Sequence, residues 1–464
     1  MIQKNPSEEG FYFIMKQKRS IVIAKFGGTS VSTKDNIQTI IDIVKKEQKI
    51  HHVVIVVSAL SNVTDLLLSA ASGQTDALSA IKEKHYRLIN NLWQDAEDRK
   101  ELFAFVDACL TSVASMCTEK ITDKKLLDTV VSFGEIMSSK IIATFLATRG
   151  VLAEQVTASE IIVTDSHFGS AEFLSKQTER NAESILLPLL DKNIVPVVTG
   201  FIGATENGEV TTLGRGGSDY SASILGFALG VSEVQIWTDV DGIFTADPRI
   251  VKTARSIPEV SYQEASEMAF LGAKILHPRT MKPAIKSGIP VRVLNTFNPE
   301  NRGTSIVKKE ERKTRITAIT FKRKVVLLTI KAEQMFMSKG FLAKIFDILR
   351  EENISVDLVS VSEVTVSLTL DMVDTLPAAV GKIEKFARVV VDEDASVVSV
   401  IGEHIGRFPH AMRDMFSILD RKNIRVKMIS FSAQNRNISC VIKSTRWEEA
   451  VQALHNGLLL GGRL

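Results

Sequence analysis

The stretch IAKFGGTSV, residues 23–31, decides how the chain begins to fold. An apolar run carries Lys25 near its end, Gly27 and Gly28 follow, and a segment with Ile37, Ile40, Ile41 and Val44 comes next. That apolar spacing predicts a helix, and the run before it predicts a strand. Such a strand, turn and helix suit an anion. Glycines let backbone N–H groups approach, the helix offers its positive end, and Lys25 adds a full charge. No G-K-[ST] follows the glycines, so this is not a Walker A loop. Read alone, the same residues also describe a tight turn with a solvated lysine.

The pattern continues outward with VVIVVSAL at 53–60, then strand candidates at 153–156, 194–199, 234–238 and 291–294. Apolar strands alternating with amphipathic helices predict a parallel α/β sheet covered on both faces. Residues 66–128 are long, helical and charged, and read as an insertion that caps the sheet. A second glycine cluster, TLGRGGSDYSASILGFALG at 212–230, places Gly214, Gly216 and Gly217 before a helix that starts with Ser218 and Asp219 and stops at Gly230. Asp219 also reads as an ordinary acid at a helix start. Arg215 does not fit that reading; its fork, held between glycines, suits a carboxylate or phosphate.

Composition narrows the class. The 464 residues are 45% hydrophobic, which allows two to four well-filled domains. Lysine and arginine number 57 against 54 acids, and a net charge of +3 argues for neither nucleic acid nor a membrane surface as partner. Cys109, Cys117 and Cys440 have no metal spacing and cannot all pair, which predicts a reducing, cytoplasmic setting. The first residues have acids ahead of a short apolar patch, unlike a signal peptide. Residues 1–19 are expected to be an extension without order.

Beyond a charged run, KKEERKTR at 308–315, the character changes. IFDILREENISVDLVSVS at 345–362 aligns with MFSILDRKNIRVKMISFS at 415–432, a spacing of 70, with eight of 18 positions identical. Two copies of a small helix-and-strand unit therefore follow the α/β part. Asp357 of the first copy is Lys427 in the second.

KFGGTSV, SNVTDLL at 61–67, SFGE at 132–135, GRGGSDYSA at 214–222, WTDVDGIFTADPR at 237–249 and GAKILHP at 272–278 stand in the order seen in aspartokinases. The tail resembles that family's paired ACT regulatory domains, and MSKGFLAKIF resembles its monofunctional lysine-sensitive type. The resemblance runs from about residue 20 to the end. It implies an α/β amino-acid-kinase fold, an open and mostly parallel sheet between helix layers, over 20–307. A charged linker and strand would follow at 308–322, then α+β ACT domains at 323–396 and 397–464. The implied reaction moves the ATP γ-phosphoryl group to the β-carboxylate of L-aspartate. That carboxylate is already ionised at neutral pH, so no general base is needed and catalysis becomes positioning and charge stabilisation.

By resemblance Lys25, Lys274 and Asp219 are catalytic, and Thr64, Glu135, Phe201, Arg215, Ser218 and Asp219 bind aspartate. Lys25, Gly27, Gly28, Thr238, Asp239, Phe244, Arg249, Lys274 and Ile275 bind ATP, with Mg2+ held largely by the nucleotide and by no dedicated protein ligands. From the residues alone, SFGE equally reads as a capping box before a helix with Ile136, Ile141 and Phe145, and Asp241, Gly242 and Pro248 read as turn residues. Lysine is the expected allosteric inhibitor, in a site of Met335, Ser338, Phe341, Leu342, Ser355, Val356 and Asp357. Phe341 and Leu342 also read as helix core. ACT pairing implies a homodimer or homotetramer. The competing functions are a non-catalytic amino-acid sensor and another phosphotransferase of the same fold; the intact Lys25, Glu135, Arg215 and Asp219 argue against the sensor.

Overall fold

The computed structural model describes residues 19–74, 76–273, 276–308, 316–331, 340–403, 405, 409–431 and 436–460. Apart from Arg19 the expected N-terminal extension lies outside this set, as do 309–315 of the charged run. Two compact units form: residues up to Asp241 joined by Arg279–Lys308, and Gly242–Pro278 joined by the chain from Lys309 on.

The first unit opens with β1 (Ile21–Phe26), α1 (Lys34–Glu47) and β2 (His52–Val57), followed by helices α2 (Val63–Ala71), α3 (Asp76–Leu92), α4 (Ala96–Met116) and α5 (Lys124–Thr148). Then come β3 (Ala153–Val156), β4 (Val163–Thr164), α6 (Ser175–Asp191), β5 (Val195–Thr199), β6 (Ile202–Thr205), β7 (Val210–Thr212), α7 (Gly217–Leu229) and β8 (Glu233–Thr238). The chain supplies β9 (Glu259–Ser261) and α8 (Tyr262–Phe270) to the second unit and returns with α9 (Pro278–Ser287), β10 (Val291–Asn295) and β11 (Thr304–Val307).

Strands of the first unit lie in the order β3-β5-β2-β1-β8-β10-β11, all neighbours parallel except β10 with β11. Residues 22–26 of β1 and 53–57 of β2 are buried, as expected for strands covered on both faces. The segment expected to cap the sheet shares its core: Leu67, Ile81, Val106 and Val113 pack in one cluster with Ile55 and Val57. Helix α5 is long and apolar enough to cross a membrane, but its most apolar stretch is 72% buried within the protein. A small second sheet, β4-β6-β7, was not foreseen; its strands are too short for a periodic signal.

The second unit continues with β12 (Ala318–Lys331), α10 (Phe341–Glu351), β13 (Val356–Val361), β14 (Thr365–Asp371), α11 (Leu376–Ile383), β15 (Arg388–Ile401), α12 (Pro409–Arg421), β16 (Val426–Phe431), β17 (Asn437–Lys443) and α13 (Trp447–His455). Its sheet, β13-β14-β12-β15-β17-β16, is antiparallel throughout. The repeat is visible as α10-β13-β14 answered by α12-β16-β17. The expected boundary at 396/397 is not a boundary in space. Strand β12 gives Val326, Leu328 and Ile330 to the first core, whereas Ile319 packs in the second with Val398 and Val400 of β15. A register shift after Lys322, beside Lys324 at φ +51°, marks the passage between cores. Segment 242–278, expected inside a 20–307 domain, also belongs here: Ala246 and Val251 are buried in the second core, and the positive-φ Gly272 lies so close to the Phe321 carbonyl that no Cβ fits.

Candidate functional site

Strand β1 sits between β2, reached through α1, and β8, reached through α7. Open α/β sheets bind ligands at the carboxyl ends of strands where connections diverge in this way. A cleft of about 540 Å³ lies there, lined by Lys25, Gly28, Thr64, Glu135, Phe201, Arg215, Ser218 and Asp219. Every residue expected to bind aspartate is therefore on one cleft. Ser58 and Ala59 line it as well, and nothing in their local sequence marked them; Asp65, inside the SNVTDLL motif beside Thr64, lines it too.

Lys25 is 9% exposed, and its Nζ stands 2.6 Å from Asp219 Oδ1 at the start of α7. Glu135 is buried, with Oε1 accepting the Ala59 N–H at 3.1 Å while Oε2 has no partner among the described residues. Burial pushes its carboxyl up to about 8, against the pull of the Ala59 N–H and the Lys25 charge. The capping-box reading of SFGE is wrong: α5 starts at Lys124 with Asp123 as its cap, and Glu135 sits mid-helix. Gly134 is required there because a Cβ would meet that of Ala59 at 2.9 Å.

The first glycine pair acts differently from expectation. Gly27 donates its N–H to the Trp237 carbonyl at 3.3 Å, so that group is committed to the sheet, not to a phosphate. Gly28 has a packing reason, since a Cβ would lie 2.8 Å from the Ala59 carbonyl. Helix α1 begins only at Lys34, capped by Thr33, which leaves 27–33 as a loop between glycines and helix. The second cluster behaves as read: α7 opens at Gly217 and closes at Gly230 in the left-handed region. Gly214 and Gly216, at φ +74° and +70°, let the chain turn sharply on either side of the exposed Arg215. Phe201 is itself left-handed at φ +71°, costly for an aromatic residue, and is held by its N–H bond to Ser221 Oγ at 2.9 Å.

Buried Asp128, two turns before Glu135 on α5, accepts from the N–H groups of Gly169 and Thr212 and from Thr212 Oγ1, each at 2.8 Å. It ties α5 to the strand that feeds the Arg215 loop. Sequence reading missed it because its partners are 41 and 84 positions away.

The nucleotide residues fall in three groups. Thr238 ends β8 in the first unit and Asp239 follows it, with Thr238 Oγ1 donating to Asp239 Oδ1 at 3.2 Å. Phe244 and Arg249 belong to the second unit, where Arg249 forks onto Asp247 at 2.9 and 2.6 Å. Lys274 and Ile275 lie outside the described residues. Asp241 is a turn residue as read, accepting from Asn295 and Asn298 side chains.

Of the regulatory residues, Met335 and Ser338 lie outside the described residues. Phe341 packs edge-on to Phe386 in the first core, whereas Leu342 beside it is 38% exposed. Ser355 is exposed, Val356 packs against that core, and Asp357 is paired with Lys322 at 2.7 Å.

A model of the amino acid kinase family matches residues 20–295, and an ACT-domain model matches 398–458. The chain is 37% identical over 451 residues to lysine-sensitive aspartokinase 3 of Escherichia coli (strain K12), covering 94% of this chain and 99% of that one. Aspartokinase 1, chloroplastic, of Arabidopsis thaliana is 36% identical over 470 residues, covering 97% and 82%. Among solved structures, E. coli aspartokinase III with aspartate and ADP, in the R state, has a TM-score of 0.81 at 35% identity over 94% of this chain and 99% of that one. The T-state complex of the same enzyme with lysine and aspartate gives 0.81 at 35% over 95% and 99%.

Proposed function

The chain belongs to the aspartokinases, ATP-dependent kinases of the aspartate carboxyl group, and we propose that the cleft around Lys25 is where it holds L-aspartate for transfer of the ATP γ-phosphoryl group. The observation that carries this is the cleft's charge pattern. Lys25 and Arg215 face Glu135 and Asp219 within about 540 Å³, a match for a small molecule with two carboxylates and one ammonium. Arg215 forks onto the α-carboxylate, since it has no ion-pair partner among the described residues and its planar fork suits bidentate binding. The open Oε2 of Glu135, together with Asp219, takes the ammonium group. Thr64, Ser218 and Phe201 close around the side chain, presenting the β-carboxylate to the phosphoryl group. Lys25, freed from Asp219 when the ammonium arrives, stabilises the charge moving between oxygens.

ATP is proposed to bind at the ends of β1 and β8, with Lys25, Gly28, Thr238 and Asp239 of the first unit as its contacts. A Mg2+ ion arriving with the nucleotide would supply neutralisation of the phosphate charge. The proposed division is a kinase domain within 20–307, whose segment 242–278 packs with the chain that follows, and two ACT units beyond it that share β12 and β15. Lysine inhibition is supported by the lysine-sensitive relative and the lysine complex of E. coli aspartokinase III, and its assignment to the first ACT unit rests on Asp357 standing where the second copy has Lys427. A homodimer or homotetramer through the ACT units is the proposed assembly. Three free cysteines support the cytoplasm as its compartment. Initial rates with ATP, magnesium and aspartate, repeated with added lysine, test the whole reading; no aspartate-dependent ADP release would refute it.

A further inference from the structure

Arg279, the second residue of α9, is left unused by the proposed chemistry, yet its side chain is only 19% exposed and every guanidinium nitrogen donates. Nε reaches Glu172 Oε1 at 3.1 Å, Nη1 the Leu213 carbonyl at 3.1 Å, and Nη2 the carbonyls of Ser170 and Ala171 at 2.9 and 2.6 Å. The same group lies 5.1 Å from the centre of the Tyr220 ring, and the Tyr220 hydroxyl donates to Glu172 Oε2 at 2.7 Å. This arrangement needs a planar, five-donor fork; an ammonium group cannot span it.

Leu213 and Tyr220 bracket the loop and helix start that carry Arg215 and Asp219. Arg215 is two residues from one anchor and Asp219 is next to the other. Gly214 and Gly216 give the segment between them the freest backbone available, so its path must be fixed from outside. Gly214 is pressed against this support: a Cβ there would stand 3.1 Å from the Gly169 carbonyl and 3.4 Å from Arg279 Nη1.

We propose that Arg279 is a positioning residue for aspartate recognition: by clamping Leu213 directly and Tyr220 through Glu172, it fixes the backbone that aims Arg215 and Asp219 into the cleft. This rests on the assignment of Arg215 to aspartate made above.

Steady-state kinetics of the full chain test it, with KM for aspartate and for ATP measured separately for Arg279→Ala and Arg279→Lys, with and without millimolar guanidinium ion. Arg279→Ala should raise the aspartate KM about tenfold to a hundredfold, the effect of misplacing a substrate-holding group. The ATP KM should stay within about twofold of wild type. Guanidinium should recover part of the loss in Arg279→Ala, and Arg279→Lys should remain impaired. An unmoved aspartate KM, an equal rise in both KM values, no recovery by guanidinium, or wild-type behaviour of Arg279→Lys overturns the proposal. If Arg279→Ala fails to fold, the KM split in Arg279→Lys decides. Arg215→Lys is run alongside: no change in its aspartate KM removes the assignment of Arg215, whereas a change there with none in the Arg279 variants removes only the positioning role.

Discussion

Lys322 Nζ stands 2.7 Å from Asp357 Oδ2, and 70 residues further along the chain the same two places carry the opposite charges, with Lys427 Nζ 2.7 Å from Asp392 Oδ2. The two repeats keep the ion pair and exchange its ends. Lys322 also reaches Asp371 at 2.9 Å. Burial nevertheless pushes the Asp357 carboxyl above its ordinary range, with Lys322 holding it back only in part, so this carboxylate gains from a further cation.

Asp357→Ala should therefore abolish inhibition by lysine while activity without lysine stays near wild type, and Lys427→Ala should matter much less. Allosteric coupling is typically about 1 to 3 kcal/mol, which loss of one charged contact can erase. Lys322→Ala should shift the inhibition midpoint to lower lysine, because the effector's ammonium no longer shares Asp357. Rate against lysine concentration for the three variants checks this; desensitised Lys427→Ala with unchanged Asp357→Ala would place the effector in the second copy.

Lys25→Ala should lose turnover far more than it raises the aspartate KM. A buried charge acting on the transition state is worth on the order of 3 to 4 kcal/mol, or about a few hundredfold in rate. Near-normal turnover would leave Lys25 as no more than the structural partner of Asp219.

Arg215→Lys keeps the charge and removes the planar fork. Aspartate affinity should fall clearly and ATP affinity change little, measured by isothermal titration of each ligand. A selective loss of ATP binding would move Arg215 to the nucleotide.

Glu135 predicts a pH dependence. Its buried carboxyl titrates at about 8, and an ammonium group seated against it favours the carboxylate, so aspartate must drive a proton off at lower pH. Affinity should weaken as pH falls below about 8 and level off above it. Titration calorimetry in buffers of differing protonation enthalpy should record proton release near neutral pH, and Glu135→Gln should flatten the profile. Folding responds with the opposite sign to that of a salt-bridged acid. Between the ordinary 4.5 and about 8 the unfolded chain binds fewer protons, so this residue's contribution to stability declines as pH rises. A pH series of thermal melts on Glu135→Gln that keeps the wild-type slope would contradict this.

What the sequence by itself determined were the features written in local periodicity and local backbone demand. The apolar runs of β1, β2, β5 and β8, the glycines at 214, 216, 217 and 230 around α7, and the 70-residue repeat are all encoded within a few residues of where they act. Lys25, Glu135, Arg215 and Asp219 were legible because motif order carried them. Only the tertiary structure decided that Glu135 lies mid-helix, since a capping box and a helix interior share the same letters until the preceding turns are seen to be helical. It alone committed the Gly27 N–H to Trp237, more than 200 positions away, and drew Asp128, Glu172 and Arg279 around one loop. It also made β12 and β15 serve two cores, because a strand's period of two specifies which face is apolar but not which helix layer covers it. Hydrogen bonds and ion pairs between distant segments leave no periodic trace; they exist only once the chain's own packing brings the partners together.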